Sequence, residues 1–339
     1  MSLQLTSGLG EPAPLEVPFQ SNEVLENLSL LSYSYCITGI SKPADYTECT
    51  KQIHLKNICK SYYTRYFMLC ADAPIGVLDA GFGGYTVVKE LQKILPNENI
   101  MFYGDGKNQP YGNRSKRVIL DLIHQCLAFF QEKNVKVVAV GCNTISTLID
   151  EYQDEFPFKI ISIVRAGSDT VIKLHPKKII LFSTVFTAQS GCYEQYIHTA
   201  CPDIQVIPRG SKWLARLIED GDFDLNKIEH EIQNVLDDTI AQQPDIDSLI
   251  LGCTHFPLVK DIIQDIYPNL KYLINPAVAQ AMQVKEYLLQ VNGLRKDGDG
   301  SIHIYTTSDC DVYTNMAKLL GLHVTSPVSL VPAPVPLKE

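Results

Sequence analysis

The chain has 339 residues, 45% hydrophobic and 20% charged, with a formal net charge of −9. A chain of this length suits one large or two medium domains and needs no disulfide or metal to complete its core. Its acidity, without a basic cluster, argues against nucleic acid or an anionic membrane as partner. No apolar run approaches the roughly 18–20 residues of a membrane span. Residues 1–20 also lack the basic start and apolar centre of a secretory signal. Ten cysteines are scattered without a CxxC pair, a usage that fits a reducing, cytoplasmic setting.

Residues 1–70 read as an N-terminal extension of uncertain order. Gly8–Pro18 is rich in Gly, Pro and acidic residues, and residues 21–70 are crowded with Tyr, Ser and Cys but carry no clean periodicity. From Pro74 the pattern sharpens. IGVLDAGFGG reads as a strand and a Gly-rich turn, YTVVKELQKIL as an amphipathic helix ending before Pro96, and NIMFYGD as a second strand. NQPYGNRS is a loop whose Ser115 can cap the helix KRVILDLIHQCLAFFQEKN. VKVVAVGCNT is a third strand, ISTLIDEYQDEF a helix, and KIISIV a fourth strand.

The alternation then restarts. KKIILFST is a strand, AQSGCYEQYIHTAC a helix, DIQVIPRG a strand, and SKWLARLIEDG and DLNKIEHEIQNVLDDTIAQQ two helices. IDSLILGCTH is a strand, PLVKDIIQDIY a helix, KYLINP a strand and AVAQAMQVKEYLLQV a helix. After NGLRKDGDGS come the strand IHIYTTS and the helix CDVYTNMAKLLG; residues 326–339 form a Pro-rich, extended tail.

Such alternation predicts an α/β protein with mostly parallel sheets. The expected organisation is two pseudo-symmetric, doubly wound lobes with a cleft between them. The first lobe takes residues 74–165 plus 274–325 and the second takes residues 166–273. Sheets of this kind bind ligands beyond the carboxyl ends of their strands. Asp79, Cys142, Ser183 and Cys253 all lie at or near such ends, and two of these ends match: V-G-C-N-T at 140–144 and L-G-C-T-H at 251–255.

A thiolate is a base as well as a nucleophile. Two thiols on opposite faces of one carbon can invert it, one removing a proton while the other delivers one. Glycine before each cysteine allows close backbone approach, and the residues after it open a helix whose N–H groups can hold an anion. Each thiol needs a polar neighbour to manage its proton. Asp79 is placed to serve Cys142, and His255 to serve Cys253. Asn143, Thr144 and Thr254 offer hydrogen bonds to a carboxylate; Tyr111 and Gly112 of the PYGN loop add a side chain and a backbone N–H. The other eight cysteines read as small buried hydrophobes. The glycines at 81, 83 and 84 make neither GxGxxG nor a P-loop, and Cys253 with His255 lacks a companion pair at metal-ligand spacing.

These segments resemble the aspartate/glutamate racemase family. The match runs from about residue 74 to 325. It includes IGVLDAGFGG, YGD…PYGNRS, GCNT, the pattern of Thr184, Thr187, Ser190 and Tyr193, and LGCTHFPL. The resemblance implies cofactor-independent racemisation of an acidic amino acid, glutamate first and aspartate or a related acid as the alternative. It makes Cys142 and Cys253 the acid/base pair, supported by Asp79 and His255, with Glu219 of LIEDG as a further supporting acid. Asp79, Ala80, Tyr111, Gly112, Asn143, Thr144, Thr254 and His255 would surround the substrate. Product D-glutamate would serve cell-wall synthesis, and because family members are often dimers, a homodimer is allowed. The usual Asp-Ser-Gly is here Asp79-Ala80-Gly81, a lost donor worth about 0.5–1.5 kcal/mol. That loss favours the rival reading of a non-catalytic member binding a small acid or a protein partner.

Overall fold

The computed structural model describes residues 70–220 and 224–337. The extension up to residue 69, with its Gly/Pro-rich stretch and Cys36, Cys49 and Cys59, lies outside the described residues, as do 221–223 and 338–339. Among the described residues no helix is long and apolar enough to cross a membrane.

Ten strands build two sheets. In chain order they are β1 (Ile75–Asp79), β2 (Ile100–Gly104), β3 (Val137–Val140), β4 (Lys159–Ser162), β5 (Lys178–Thr184), β6 (Gln205–Ser211), β7 (Ser248–Gly252), β8 (Tyr272–Ile274), β9 (Ile302–Thr306) and β10 (Ser329–Leu330). The first sheet runs β10-β9-β2-β1-β3-β4 and the second β6-β5-β7-β8. All their pairings are parallel. The block β2-β1-β3-β4 has the same order as β6-β5-β7-β8, each numbered from its own first strand. In both, the chain order reverses beside the first strand, which opens a crevice at the carboxyl ends of β1 and β3 and of β5 and β7.

The first sheet is covered on both faces, as parallel sheets require. Ile75, Val77, Val137 and Ala139 point into one apolar cluster, and Leu78, Val138 and Val140 into the other. Helix α1 (Tyr85–Ile94) lies in the first cluster through Val87, Val88 and Leu91. Helix α2 (Lys116–Glu132) covers the other face with Ile119, Leu122, Ile123, Cys126 and Phe130. Ser115 caps it as expected, its side chain accepting from the Val118 N–H. Two glycines sit where β1 meets the site: a Cβ on Gly84 would lie 2.6 Å from Asp79 Cβ, and one on Gly141 3.5 Å from Asp79 Oδ2.

Several elements differ from the sequence expectation. Residues 145–156 are not one helix: α3 (Asn143–Ser146) is a single turn followed by a 3-10 turn at Ile149–Glu151. Helix α4 (Ile163–Leu174) starts on the last residues of the expected fourth strand, where Ser162 accepts from the Arg165 N–H, and ends at left-handed His175. The helix expected over 188–201 is two, α5 (Val185–Ser190) and α6 (Cys192–Ala200), because Gly191 between them has φ of 67°. Helices α7 (Leu214–Glu219), α8 (Leu225–Gln242), α9 (Lys260–Ile266), α10 (Pro276–Gln290) and α11 (Cys310–Leu319) follow. The Pro-rich terminal segment contributes β10, and its Val331 N–H donates to Thr306 O.

Helix α10 packs on α4 and α1. Its fully buried Gln280 donates from Nε2 to Val140 O at 2.9 Å and Ile161 O at 2.8 Å. That amide ties β3 to β4 at the last rungs of their ladder, just before Gly141 and Cys142.

Candidate active site

Cys142 follows β3 as the N-cap of α3, and Cys253 follows β7 directly. By strand order they occupy equivalent positions in the two sheets. Both are buried. Burial, and then the charge of Asp79, push the Cys142 thiol upward, with Cys253 adding to the shift. The N–H groups of Ile145 and Ala80 pull the other way by favouring the thiolate.

Asp79 ends β1 and is 1% exposed. Its Oδ1 accepts from the Gly81 N–H at 3.0 Å, and its Oδ2 accepts from Thr254 Oγ1 at 3.0 Å. Burial raises its pKa to about 6, against the pull of His255 and of those two bonds. A carboxyl poised there can take or return a proton near neutrality.

On the other side Cys253 Sγ lies 3.6 Å from His255 Nδ1. His255 Nε2 contacts Glu219 Oε2, at the end of α7, in a mostly buried ion pair. Burial alone would lower the His255 pKa; Glu219 and Cys253 outweigh it and hold the imidazole well above its ordinary value. The imidazolium then faces a sulfur on one nitrogen and a carboxylate on the other. Phe82 packs on the ring at 5.4 Å between centroids, fixing its plane.

The two halves meet. Besides the Thr254–Asp79 bond, Thr86 Oγ1 donates to Thr254 O at 3.2 Å. Gly83 makes the approach possible, since a Cβ there would lie 2.5 Å from Thr254 Oγ1 and 2.7 Å from the His255 ring. Across the same junction Tyr193 of α6 donates to Asn143 Oδ1 at 2.8 Å. The buried Nδ2 of Asn143 has no partner among the described residues, leaving a donor free for a ligand.

The structure therefore brings together Asp79, Cys142, Asn143, Cys253, Thr254, His255 and Glu219 from the expected set. Thr144 is buried in the first turn of α3 beside them. Ala80 borders the site through its backbone, its N–H toward Cys142 and its carbonyl accepting from Gln109 Nε2 at 2.7 Å. Tyr111 stands apart: its hydroxyl donates to Asp105 Oδ2 at 2.7 Å and touches Cys126. Gly112 lies against Phe186 of α5. Sequence reasoning gave no role to Gln109, Phe82, Thr86 or Tyr193. Tyr193 and Phe82 had a signal, their places in the Thr-Thr-Ser-Tyr pattern and in IGVLDAGFGG; Gln109 and Thr86 sit in a turn and on a helix face without chemical signature. Among the described residues no group of three or more His, Cys, Asp or Glu is arranged to hold a metal ion.

Residues 86–284 match the family model described as Asp/Glu/Hydantoin racemase. The chain is 34% identical over 248 residues to glutamate racemase 2 of Caldanaerobacter subterraneus subsp. tengcongensis, covering 73% of this chain and 92% of the relative. It is similar in structure to a glutamate racemase isoform from Bacillus anthracis, with a TM-score of 0.72, 28% identity, and coverage of 78% of this chain and 98% of that one. It is also similar to the glutamate racemase of Francisella tularensis subsp. tularensis in complex with D-glutamate, with a TM-score of 0.70, 27% identity and the same coverage. The chain belongs to the Asp/Glu/hydantoin racemase family.

Proposed function

We propose that the protein interconverts L- and D-glutamate, without a cofactor, by a two-base reaction. Cys142 and Cys253 act on opposite faces of the α-carbon, and each serves as base in one direction and acid in the other. The observation that carries the reading is the bond between Thr254 and Asp79. It joins the loop of one cysteine to the carboxylate beside the other, so both thiols belong to one reaction centre. The two lobes, 74–165 plus 274–325 and 166–273, would each contribute one thiol, with residues 1–70 as an extension and 326–339 as a tail.

The roles follow from the neighbours. Cys142 sits beside Asp79, which can receive its proton when the thiol must become a base. Cys253 sits beside the His255 imidazole, which can exchange a proton with it across their 3.6 Å contact. Removing an α-proton loads negative charge onto the substrate carboxylate. The free Asn143 amide, the first turn of α3 and Thr254 would hold that charge. Thr144 and Gly112 would border the ligand. Support for glutamate comes from the relatives, whose names specify it, and from the relative crystallised with D-glutamate. A cytoplasmic location and a homodimer fit this reading. The D-glutamate formed would supply cell-wall synthesis.

Incubation with L-glutamate or L-aspartate in D₂O tests it. Exchange of the α-proton on glutamate, with formation of the D-enantiomer, is the expected result. Exchange on aspartate alone would overturn the substrate assignment, and exchange on neither would favour a binding protein.

A further inference from the structure

Resting on the two-base reading, we propose that Gln109 is a positioning residue for the Cys253 half of the reaction. Its side-chain amide clamps Glu219 in the orientation that presents the other carboxylate oxygen to His255. Gln109 lies in the loop after β2, far in sequence from Glu219. Its Nε2 donates to Glu219 Oε1 at 3.1 Å and to Ala80 O at 2.7 Å. An amide nitrogen carries two hydrogens, so both are used. The reversed amide would set an oxygen against two acceptors, so only one orientation fits.

Glu219 Oε1 also accepts from the Phe82 N–H at 3.4 Å. With Oε1 held from two sides, Oε2 is left for His255. The chain of contacts is thus Gln109, Glu219, His255, Cys253. The loop that presents Gln109 is itself held. Asn108 Nδ2 donates to Asp105 Oδ2 at 2.9 Å and to Pro334 O at 3.0 Å, and Arg114 Nε donates to Asn108 O at 3.0 Å. Gly81 leaves room for the clamp, since a Cβ there would overlap Gln109 Nε2 and lie 2.8 Å from Glu219 Oε1. On the Cys142 side Gln109 reaches only the carbonyl of Ala80, in a turn that the Gly81 N–H bond to Asp79 also holds, so the effect should fall mainly on the Cys253 half.

The test compares Gln109→Ala and Gln109→Glu with the unaltered protein, using glutamate of both hands with hydrogen or deuterium on the α-carbon. The two enantiomers are mirror images, so the equilibrium constant is one and kcat/KM must fall equally in both directions. One-sidedness therefore has to be read from isotope effects. Losing the clamp should lower kcat/KM about tenfold, as expected for a hydrogen bond to a charged group. Gln109→Glu keeps the shape but sets a carboxylate against Glu219, and should fall further. The α-deuterium effect should rise for the enantiomer from which Cys253 takes the proton and shrink for the other. A purely structural loop residue would slow turnover without splitting the isotope effects. Unchanged kcat/KM, or isotope effects that move alike for both hands, would overturn the proposal. Cys253→Ser, measured alongside, separates the two failures. If it retains turnover, the two-base reading fails; if it is inactive while Gln109 variants are normal, only the clamp fails.

Discussion

Thr254 Oγ1 donates to Asp79 Oδ2 across 3.0 Å, although the residues are 175 positions apart in the chain. Asp79 closes the first strand of one sheet, and Thr254 follows the cysteine of the other. The contact therefore reports directly on whether the two cysteine loops face each other.

Thr254→Val should remove one of the donors that offset the burial of Asp79. The cost should be about 1–2 kcal/mol at pH 8. It should shrink at pH 5, where Asp79, with a pKa of about 6, is protonated in the folded protein. Thermal unfolding at the two pH values measures the difference.

Asp79→Asn should separate stability from activity. A carboxyl whose folded pKa exceeds its unfolded value holds its proton more tightly when folded. Its ionisation therefore destabilises the fold as pH rises from 3.8 to about 6, and the penalty is complete above that. Removing the ionisable group should raise stability at pH 7–8 by about 1–3 kcal/mol relative to its effect at pH 4. Turnover should fall in the same variant, because the proton acceptor beside Cys142 is gone. Denaturant unfolding at both pH values, with an activity assay, checks both halves.

Glu219→Gln should release His255. The imidazole owes its high value to Glu219 and Cys253 acting against burial. Without the carboxylate its titration should move down, toward the range of an unpaired buried imidazole. In the unaltered protein the stability contributed by the charged imidazole is present below the unfolded pKa near 6.5 and is lost only as pH rises through the folded value. NMR titration of the His255 ring in the two proteins reads the change.

Gly83→Ala tests the closeness of the lobes by steric means. The added methyl would meet Thr254 Oγ1 and the His255 ring, well inside contact distance. Forcing them apart should cost about 1–3 kcal/mol and lower kcat/KM, whereas Gly321→Ala, at an exposed left-handed position where an added Cβ meets nothing within 4 Å, should cost stability without lowering kcat/KM. A melting curve and a racemisation assay suffice.

Much of this fold is legible in the sequence because most of its strands are short apolar runs that stop at small or polar residues such as Asp79, Gly104, Thr184 and Gly252. Ser115 announced α2 through ordinary capping chemistry. Helix α4 carried comparable signals, Ser162 at its start and His175 at its end, but its first turn reads as the tail of a β-branched strand. Gly191 divides α5 from α6 by adopting a left-handed conformation that periodicity does not reveal. The matched Gly-Cys ends pointed to Cys142 and Cys253, whereas Gln109 was invisible. A polar loop residue has no period, and its meaning comes only from Glu219, 110 positions away. Tyr111 shows the opposite failure. Its motif suggested the cleft, but a buried phenol needs a partner, and Asp105 provides it.

The most direct measurement is racemisation of L- and D-glutamate, followed by circular dichroism, in Cys142→Ser and in Cys253→Ser. Two thiols sharing one carbon predict that each variant loses about 10²–10⁴-fold in turnover with both enantiomers. Turnover of both enantiomers at the unaltered rate in either variant would contradict the two-base account.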